Sequence, residues 1–198
     1  MEELLAKYDL TPEEIADFIS NGLVMKCSKK TLLHKEGETP RFFYWVTKGV
    51  FRSGFTDNKG NEHTRNFFTA DTLPYAVAYG SFATQRPAYS FVEALEDGEV
   101  LSWHFTYIQQ LQESNVKWLK FFKKELEIIF YWTEYKELRQ YTYTPEESYL
   151  TFLKAAPELA SRVPQHYIAS YIGVSPEALS RIRNRIAAKK DLKTPDKK

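Results

Sequence analysis

The sequence predicts an α+β fold in which an N-terminal double-stranded β-roll is followed by a long helix and a C-terminal helix-turn-helix. Between residues 24 and 103, short stretches rich in β-branched and aromatic residues alternate with turn signals, which is typical of a small barrel or double-sheet roll. Residues 116–141 contain neither Gly nor Pro, which favours one continuous helix. Residues 163–186 read as two short helices joined at a glycine and sharing an apolar core.

The β-rich region has recognisable limits and turns. Before it, Thr11-Pro12-Glu13-Glu14 has the composition of a helix start. Phe51, Ser53 and Phe55 alternate with Arg52 and Gly54, so this stretch is predicted to be a half-buried strand. The predicted domains are a roll at 1–114, a dimerisation helix at 115–141 and a helix-turn-helix domain at 142–198.

The long predicted helix has an apolar seam. Its members are spaced by three and four residues, as in the a/d seam of a coiled coil: Leu119, Phe122, Leu126, Ile129 and Thr133. A small roll cannot cover such a stripe over its whole length, so we expect a partner helix and hence a homodimer. The alternative is that all five pack inside one chain. Tyr131, Trp132 and Tyr135 widen the apolar side and are expected to pack on the roll.

The C-terminal motif has local signals for each of its parts. Gly173 stands where a left-handed residue would end the first helix. Ser175 is a suitable N-cap, Pro176 suits the first helical position, and Glu177 lies near the positive end of the helix dipole. No strand pattern follows Ile186, so a β-hairpin wing is predicted to be absent and residues 187–198 to form a frayed basic end.

The second of these helices has a polar face suited to DNA. Glu177 and Arg181 are one turn apart and can read one base pair together, because Arg binds guanine O6 and N7 while a carboxylate accepts from the cytosine amine. Ser180 and Pro176 are expected to contact neighbouring bases. The predicted phosphate contacts are Ser175, Arg183, Arg185, Lys189 and Lys190. The alternative is a small helical subdomain whose arginine face is only solvated.

Charge is unevenly distributed along the chain. Residues 162–198 contain nine Lys or Arg and three acidic residues, a net charge of +6, whereas the remainder has 18 basic and 23 acidic residues, a net charge of −5. A basic end on an acidic body indicates a nucleic-acid-binding module attached to a domain that avoids nucleic acid.

These motifs resemble those of the Crp/Fnr family of bacterial transcription regulators. Glu177, Ser180 and Arg181 match the E-x-x-S/G-R pattern of its recognition helix, with the serine typical of the Fnr branch. Gly37, the strand ending at Lys48-Gly49 and the turn Asp57–Gly60 follow the order of its sensor-domain motifs. The resemblance implies a cyclic-nucleotide-binding-like roll and a homodimer that binds a palindromic operator in double-stranded DNA. It also implies RNA polymerase as a partner.

The resemblance does not extend to the residues with which the family binds cyclic AMP. Family members that bind it use a Gly-Glu pair for the ribose and an Arg-Ser pair for the phosphate, but residues 71–94 have no Gly-Glu pair and Ala88-Tyr89-Ser90 replaces the Arg-Ser step. We expect a small-molecule effector other than cyclic AMP, or none. Four residues could line a pocket for a planar or apolar ligand: Tyr75, Tyr79, Arg86 and Tyr89. The favoured alternative is a filled core.

Several protein classes are not expected. The single cysteine, Cys27, excludes an intrachain disulfide and is expected to be a small core residue, and no His or Cys spacing suits a metal. We therefore expect no metal, no cofactor and no enzymatic activity. No apolar run reaches about 18 residues and the N-terminus is not a signal peptide, so a cytoplasmic protein without membrane contact is expected. The rival hypothesis is a sensor or scaffold of the same fold that acts through protein contacts without operator binding.

Overall fold

The computed structural model describes residues 1–191 of the 198-residue chain. The chain divides into two compact units, Met1–Leu138 and Arg139–Lys198, and the division falls inside a long helix. The α+β class and the order of roll, long helix and helix-turn-helix are confirmed. A separate dimerisation segment at 115–141 stays a prediction.

The first unit begins with short helices. These are α1 (Glu2–Leu5), a 3-10 turn (Ala6–Tyr8) and α2 (Pro12–Ser20). A capping box starts α2, because the Thr11 hydroxyl accepts from the Glu14 N–H at 3.2 Å and the Glu14 carboxylate accepts from the Thr11 N–H at 2.7 Å. The helix start predicted from Thr11 is therefore confirmed.

The strands of the first unit form two antiparallel sheets rather than a closed barrel. The first sheet has the order β1-β7-β3 and the second β2-β6-β4-β5. Their bounds are β1 (Leu23–Cys27), β2 (Leu32–His34), β3 (Phe42–Lys48), β4 (Phe51–Thr56), β5 (Glu62–Phe68), β6 (Phe91–Ala94) and β7 (Gly98–His104). A short helix, α3 (Tyr79–Thr84), lies between β5 and β6.

The turn from β3 to β4 requires glycine for two reasons. Gly49 has φ of +93°, and a Cβ on it would lie 2.8 Å from the Cα of Gly98. Two backbones therefore approach here more closely than any side chain permits, at the turn where the chain passes from the first sheet to the second.

Successive residues of β3 and β7 belong to different layers. Tyr44, Val46 and Val100 belong to the apolar cluster between the two sheets, which also contains the buried Cys27. Phe43 and Trp103, from the alternate positions, belong to a second cluster with residues of the helices. The first sheet is thus covered on both faces, as the alternation of side chains along a strand requires.

The half-buried pattern predicted for β4 is wrong. Residues 51–54 are all buried, and Arg52 is only 1% exposed. Its Nε lies 2.6 Å from Glu93 Oε1, its guanidinium also pairs with Glu62, and its Cζ lies 4.9 Å from the centre of the Phe91 ring. A buried charge is tolerated only when it is paired, and these partners come from neighbouring strands.

Two helices follow the roll: α4 (Phe105–Ser114) and α5 (Val116–Thr142). With 27 residues, α5 is about 40 Å long at 1.5 Å per residue. Its early turns bury Trp118, Phe121 and Phe122 in the second apolar cluster. Phe18 stacks on Trp103 in the same cluster with ring centres 4.2 Å apart.

The second unit is helical throughout its described part. Beyond the end of α5 it contains α6 (Pro145–Ala155), α7 (Leu159–Arg162), α8 (Gln165–Ile172) and α9 (Pro176–Asp191). A second capping box, formed by Thr144 and Glu147, starts α6. The predicted fray after Ile186 is corrected, because α9 continues to Asp191; residues 192–198 of that predicted tail lie outside the described residues. Residues 139–191 contain no strand, and the lack of a wing stays a prediction.

Candidate nucleic-acid interface

The turn between α8 and α9 is built on Gly173. This residue has φ of +86°, and its N–H donates to the Ala169 carbonyl at 2.9 Å, as does the N–H of Val174 at 3.0 Å. No atom lies within 4 Å of the place a Cβ would occupy, so the backbone conformation alone explains the glycine. The predicted helix stop is confirmed.

The start of α9 orders its first turn. The Ser175 hydroxyl accepts from the Ala178 N–H at 3.2 Å, and Pro176 is the first helical residue. A hydrogen bond from Ser175 holds the pKa of Glu177 below its ordinary value, with smaller contributions from the Glu177 N–H and the charge of Arg181. Glu177 is therefore an ionised acceptor at neutral pH, placed at the exposed end of the helix.

The helix α9 has one buried and one exposed face. Leu179 and Ile182 are buried, as are Ile168 and Ala169 of α8, which completes a small helical core. Ala169 is fully buried, as expected where two helices cross closely. The residues predicted to read bases or bind phosphates are exposed: Ser175, Pro176, Glu177, Ser180, Arg181, Arg183, Arg185 and Lys189. The side chain of Lys190 lies outside the described part of the structure, and the roles of all these residues stay a prediction.

A residue that sequence reasoning missed lies beside this face. Glu146, the second residue of α6, accepts from Arg185 Nη1 at 3.1 Å through one oxygen and from Lys189 Nζ at 2.7 Å through the other. The hydrogen bond from Lys189 is the largest of the effects that lower the pKa of Glu146. No local pattern indicates this contact, because Thr144-Pro145-Glu146-Glu147 has only the composition of a helix start and the partners of Glu146 lie 39 and 43 residues later.

Glu146 and Arg185 also border a groove within the second unit. It has a volume of about 580 Å³ and runs between the start of α6 and one side of α9. Its lining includes Leu150, Ala178 and Ile182 along the floor and Arg181, Arg185 and Glu146 among the charged residues. Arg181 therefore lies both in the groove lining and on the exposed reading face.

The expected seam of α5 needs one correction. Phe122 is only 3% exposed, and its ring packs edge-on against Phe43 with the centres 5.7 Å apart. It belongs to the core of its own chain, and Ile129 packs partly against the same cluster. Leu119, Leu126 and Thr133 remain exposed and are spaced by seven residues.

More apolar surface is exposed on α5 than the sequence suggested. Phe130 is exposed and lies four residues after Leu126 and three before Thr133, so it shares their face. Tyr131 and Trp132 are also exposed, which contradicts their expected packing on the roll. The second half of α5 thus presents several large apolar side chains that the described residues of its own chain leave exposed.

The four residues of the predicted effector pocket are not brought together. Tyr75 is buried against Trp45, with ring centres 5.1 Å apart, and Tyr79 donates to the Phe122 carbonyl at 3.2 Å. Arg86 is exposed and Tyr89 is 88% exposed. The prediction that these four residues line a pocket is therefore wrong. Tyr75 and Tyr79 instead form part of a filled core, which was the alternative interpretation of the sequence.

A buried carboxylate lies beside those two tyrosines. Glu125 of α5 is buried and accepts a hydrogen bond from the Tyr8 hydroxyl. Burial, and next the negative charge of Glu125, raises the pKa of Tyr79 to about 12, and the same two effects raise the pKa of Tyr75. No sequence pattern indicates this cluster, since a glutamate on a helix is usually solvated.

Two other features are absent from residues 1–191. These residues contain no group of three or more His, Cys, Asp or Glu side chains arranged to hold a metal ion. None of their helices is long and apolar enough to cross a membrane.

Similarity to known proteins appears at the level of structure. No protein-family model matches the chain, and no curated protein matches its sequence. FixK2 from Bradyrhizobium japonicum superposes with a TM-score of 0.73 at 18% identity, covering 85% of this chain and 85% of FixK2. The c-di-GMP-responsive global regulator CLP of Xanthomonas campestris gives 0.71 at 15% identity, covering 88% of this chain and 91% of CLP.

A third solved structure extends the similarity. The catabolite activator protein of Thermus thermophilus gives a TM-score of 0.56 at 19% identity, covering 91% of this chain and 85% of that one. All three are regulators of the Crp/Fnr type. The chain therefore has the fold of the Crp/Fnr transcription regulators, a cyclic-nucleotide-binding-like roll with a long helix and a helix-turn-helix.

Proposed function

We propose that the protein is a homodimeric DNA-binding transcription regulator that reads a palindromic operator with α9. The observation that carries this proposal is the pair Glu177 and Arg181, exposed one turn apart on α9, opposite the buried Leu179 and Ile182. A helix that is anchored on one face and polar on the other is the part of a helix-turn-helix that enters the major groove.

The chemistry of this pair suits one G·C base pair. The Arg181 guanidinium can donate to guanine O6 and N7, and ionised Glu177 can accept from the cytosine amine. Ser180 and Pro176 are exposed beside them and are proposed to contact neighbouring bases. The proposed phosphate contacts are Ser175, Arg183, Arg185, Lys189 and Lys190.

The proposed dimer forms through α5. Leu119, Leu126, Phe130 and Thr133 present one exposed stripe, with Phe130 in place of the buried Phe122. A partner helix would remove this apolar surface from water, at about 25 cal/mol for each Å² buried. A two-fold dimer presents one copy of α9 to each half-site, and such half-sites lie about 34 Å apart along DNA.

The proposed effector is not cyclic AMP, and a regulator without an effector is the other possibility. At the positions expected for the Arg-Ser pair, Ala88 is buried and Tyr89 is exposed, so neither offers a cation to a phosphate. CLP is responsive to c-di-GMP, so this fold accommodates effectors other than cyclic AMP. The similar structures are regulators, which supports a role without catalysis, and RNA polymerase is part of the proposal as a partner.

Selection from a random duplex pool tests the proposal. The purified protein should enrich a palindrome with a G·C pair in each half-site. Arg181→Ala should lose about 1–3 kcal/mol and relax selection at that base pair alone. Arg183→Ala is the matched control, because loss of a phosphate contact should weaken binding to every sequence and lower the salt slope by about 1.

Two results would contradict the proposal. An equal loss of binding to the selected and to random duplexes in Arg181→Ala would refute base reading by Arg181. Failure to enrich any sequence, together with weak and salt-independent binding to random duplex, would refute DNA binding and favour the scaffold that acts through protein contacts.

A further inference from the structure

We infer that Glu146 limits the affinity of the proposed interface for DNA by competing with phosphates for Arg185 and Lys189. This inference rests on the proposed function. It concerns a residue outside the recognition helix, whose carboxylate uses both of its oxygens on two of the predicted phosphate-binding side chains.

The spacing along α9 determines which contacts are affected. Glu177, Arg181, Arg185 and Lys189 follow one another at intervals of four residues and so form one stripe along the helix. The first two form the proposed base-reading pair. Glu146 is paired with the last two, so only the C-terminal half of the stripe is partly neutralised.

The exposure of the partners makes competition possible. The side chains of Arg185 and Lys189 are 59% and 61% exposed, whereas that of Glu146 is 21% exposed. Both cations can therefore be approached by an external anion without unfolding the contact. Ion pairs between exposed groups are weak, so the carboxylate moderates phosphate binding and does not block it.

The neighbouring Glu147 provides a matched comparison. It carries the same charge one residue later, but it binds the N–H and hydroxyl of Thr144, both at 2.8 Å, in the capping box. Glutamine can complete such a box, so Glu147→Gln removes one negative charge while it retains the cap. A general effect of charge on DNA affinity would be equal in Glu146→Gln and Glu147→Gln.

Salt dependence of binding to a random-sequence duplex measures the effect. Each full phosphate contact contributes about 0.9 to the slope of log K against log salt, and Glu146 weakens two such contacts without blocking them. Glu146→Gln should therefore steepen the slope by up to about 1 between about 50 and 200 mM salt. At the low end we expect binding about 3- to 30-fold tighter than wild type. Glu147→Gln should keep the wild-type slope.

A second pair of variants keeps the test informative if Glu146→Gln does not fold. In the wild-type background, Lys189→Gln should lower the salt slope by clearly less than the value of about 0.9 expected for a full phosphate contact. Arg183→Gln, on the same helix, is the reference and should lose about the full value. Equal losses in the two variants would overturn the inference.

Other outcomes separate this inference from the proposed function. Steep salt-dependent binding by wild type, with parallel slopes for wild type and Glu146→Gln, overturns the inference and leaves DNA binding intact. A lower melting temperature without a change in slope also overturns it, because Glu146 would then only join α6 to α9. If neither wild type nor Glu146→Gln binds duplex at low salt, both fail.

Discussion

Replacing Gly173 by alanine should weaken the second unit by about 1–2 kcal/mol, the strain of one L-residue in the left-handed region. The residue has φ of +86°, and no atom lies within 4 Å of the position of the new methyl group. Clash with residues other than the neighbours of Gly173 in the chain therefore contributes nothing, and the loss is the local strain of the left-handed conformation. Urea unfolding followed by the helical circular dichroism signal measures the change.

Two variants calibrate that result. Gly173→Asn should lose less than Gly173→Ala, because asparagine tolerates the left-handed conformation. Gly80 lies in α3, also has open space around its Cβ position, and has no positive φ, so Gly80→Ala should stabilise the first unit by about 0.4–1 kcal/mol. Equal stability of Gly173→Ala and wild type would refute the assignment of a strained turn to this residue.

Three further predictions concern the first unit. Phe122→Ala should lower the free energy of unfolding by about 3–5 kcal/mol and leave the dimer intact. Leu126→Arg should dissociate the proposed dimer with little loss of fold stability. Urea unfolding and sedimentation measure the two effects, and they would show the reverse pattern if Phe122 faced a partner. Arg52→Met should lower the free energy of unfolding in urea by about 3–5 kcal/mol, because Glu93, whose side chain is only 15% exposed, loses its cation. Glu62→Gln should lose less, since the Glu62 side chain is 56% exposed. A neutral Arg52→Met would refute the pairing with Glu93. The pKa of Glu14 is lowered from 4.5 to about 2, chiefly by the hydrogen bond from the Thr11 N–H. The stabilisation that Glu14 contributes is therefore complete above about pH 4.5 and is lost as the pH falls toward 2. Glu14→Gln should flatten this part of the profile of stability against pH, and an unchanged profile would contradict this prediction.

Sequence predicted the parts of this fold that depend on local chemistry. The starts of α2 and α6 follow from Thr-Pro-Glu-Glu segments whose capping boxes form within four residues. The break at Gly173 and the start of α9 at Pro176 follow from the conformations that these residues prefer. Such signals need no knowledge of which segments meet in space.

Contacts between distant residues could not be predicted in the same way. Arg52 alternates with apolar residues as an exposed residue would, and only the partners on β5 and β6 show that it is buried. Phe122 fits the seam of α5 by spacing, but the roll covers that side of the helix in its first turns. The pairing of Glu146 likewise depends on how α6 packs against α9.

Composition also predicted a ligand pocket that the residues concerned do not form. The aromatic residues between 75 and 89 suggested a pocket, but an aromatic ring serves equally well as core packing and as ligand contact. Tyr75 is buried and Tyr89 is exposed, which local periodicity around α3 does not indicate. The direction of a side chain in such an irregular segment is set by the neighbouring elements.

The four tryptophans differ sharply in their surroundings. Trp45, Trp103 and Trp118 are buried, whereas Trp132 on α5 is 57% exposed. Trp132 is therefore the indole whose emission wavelength and quenching respond to the solvent, against a constant signal from the other three. Any molecule that covers this stretch of α5 shifts the fluorescence of the native chain, so the protein reports its own binding events without a dye.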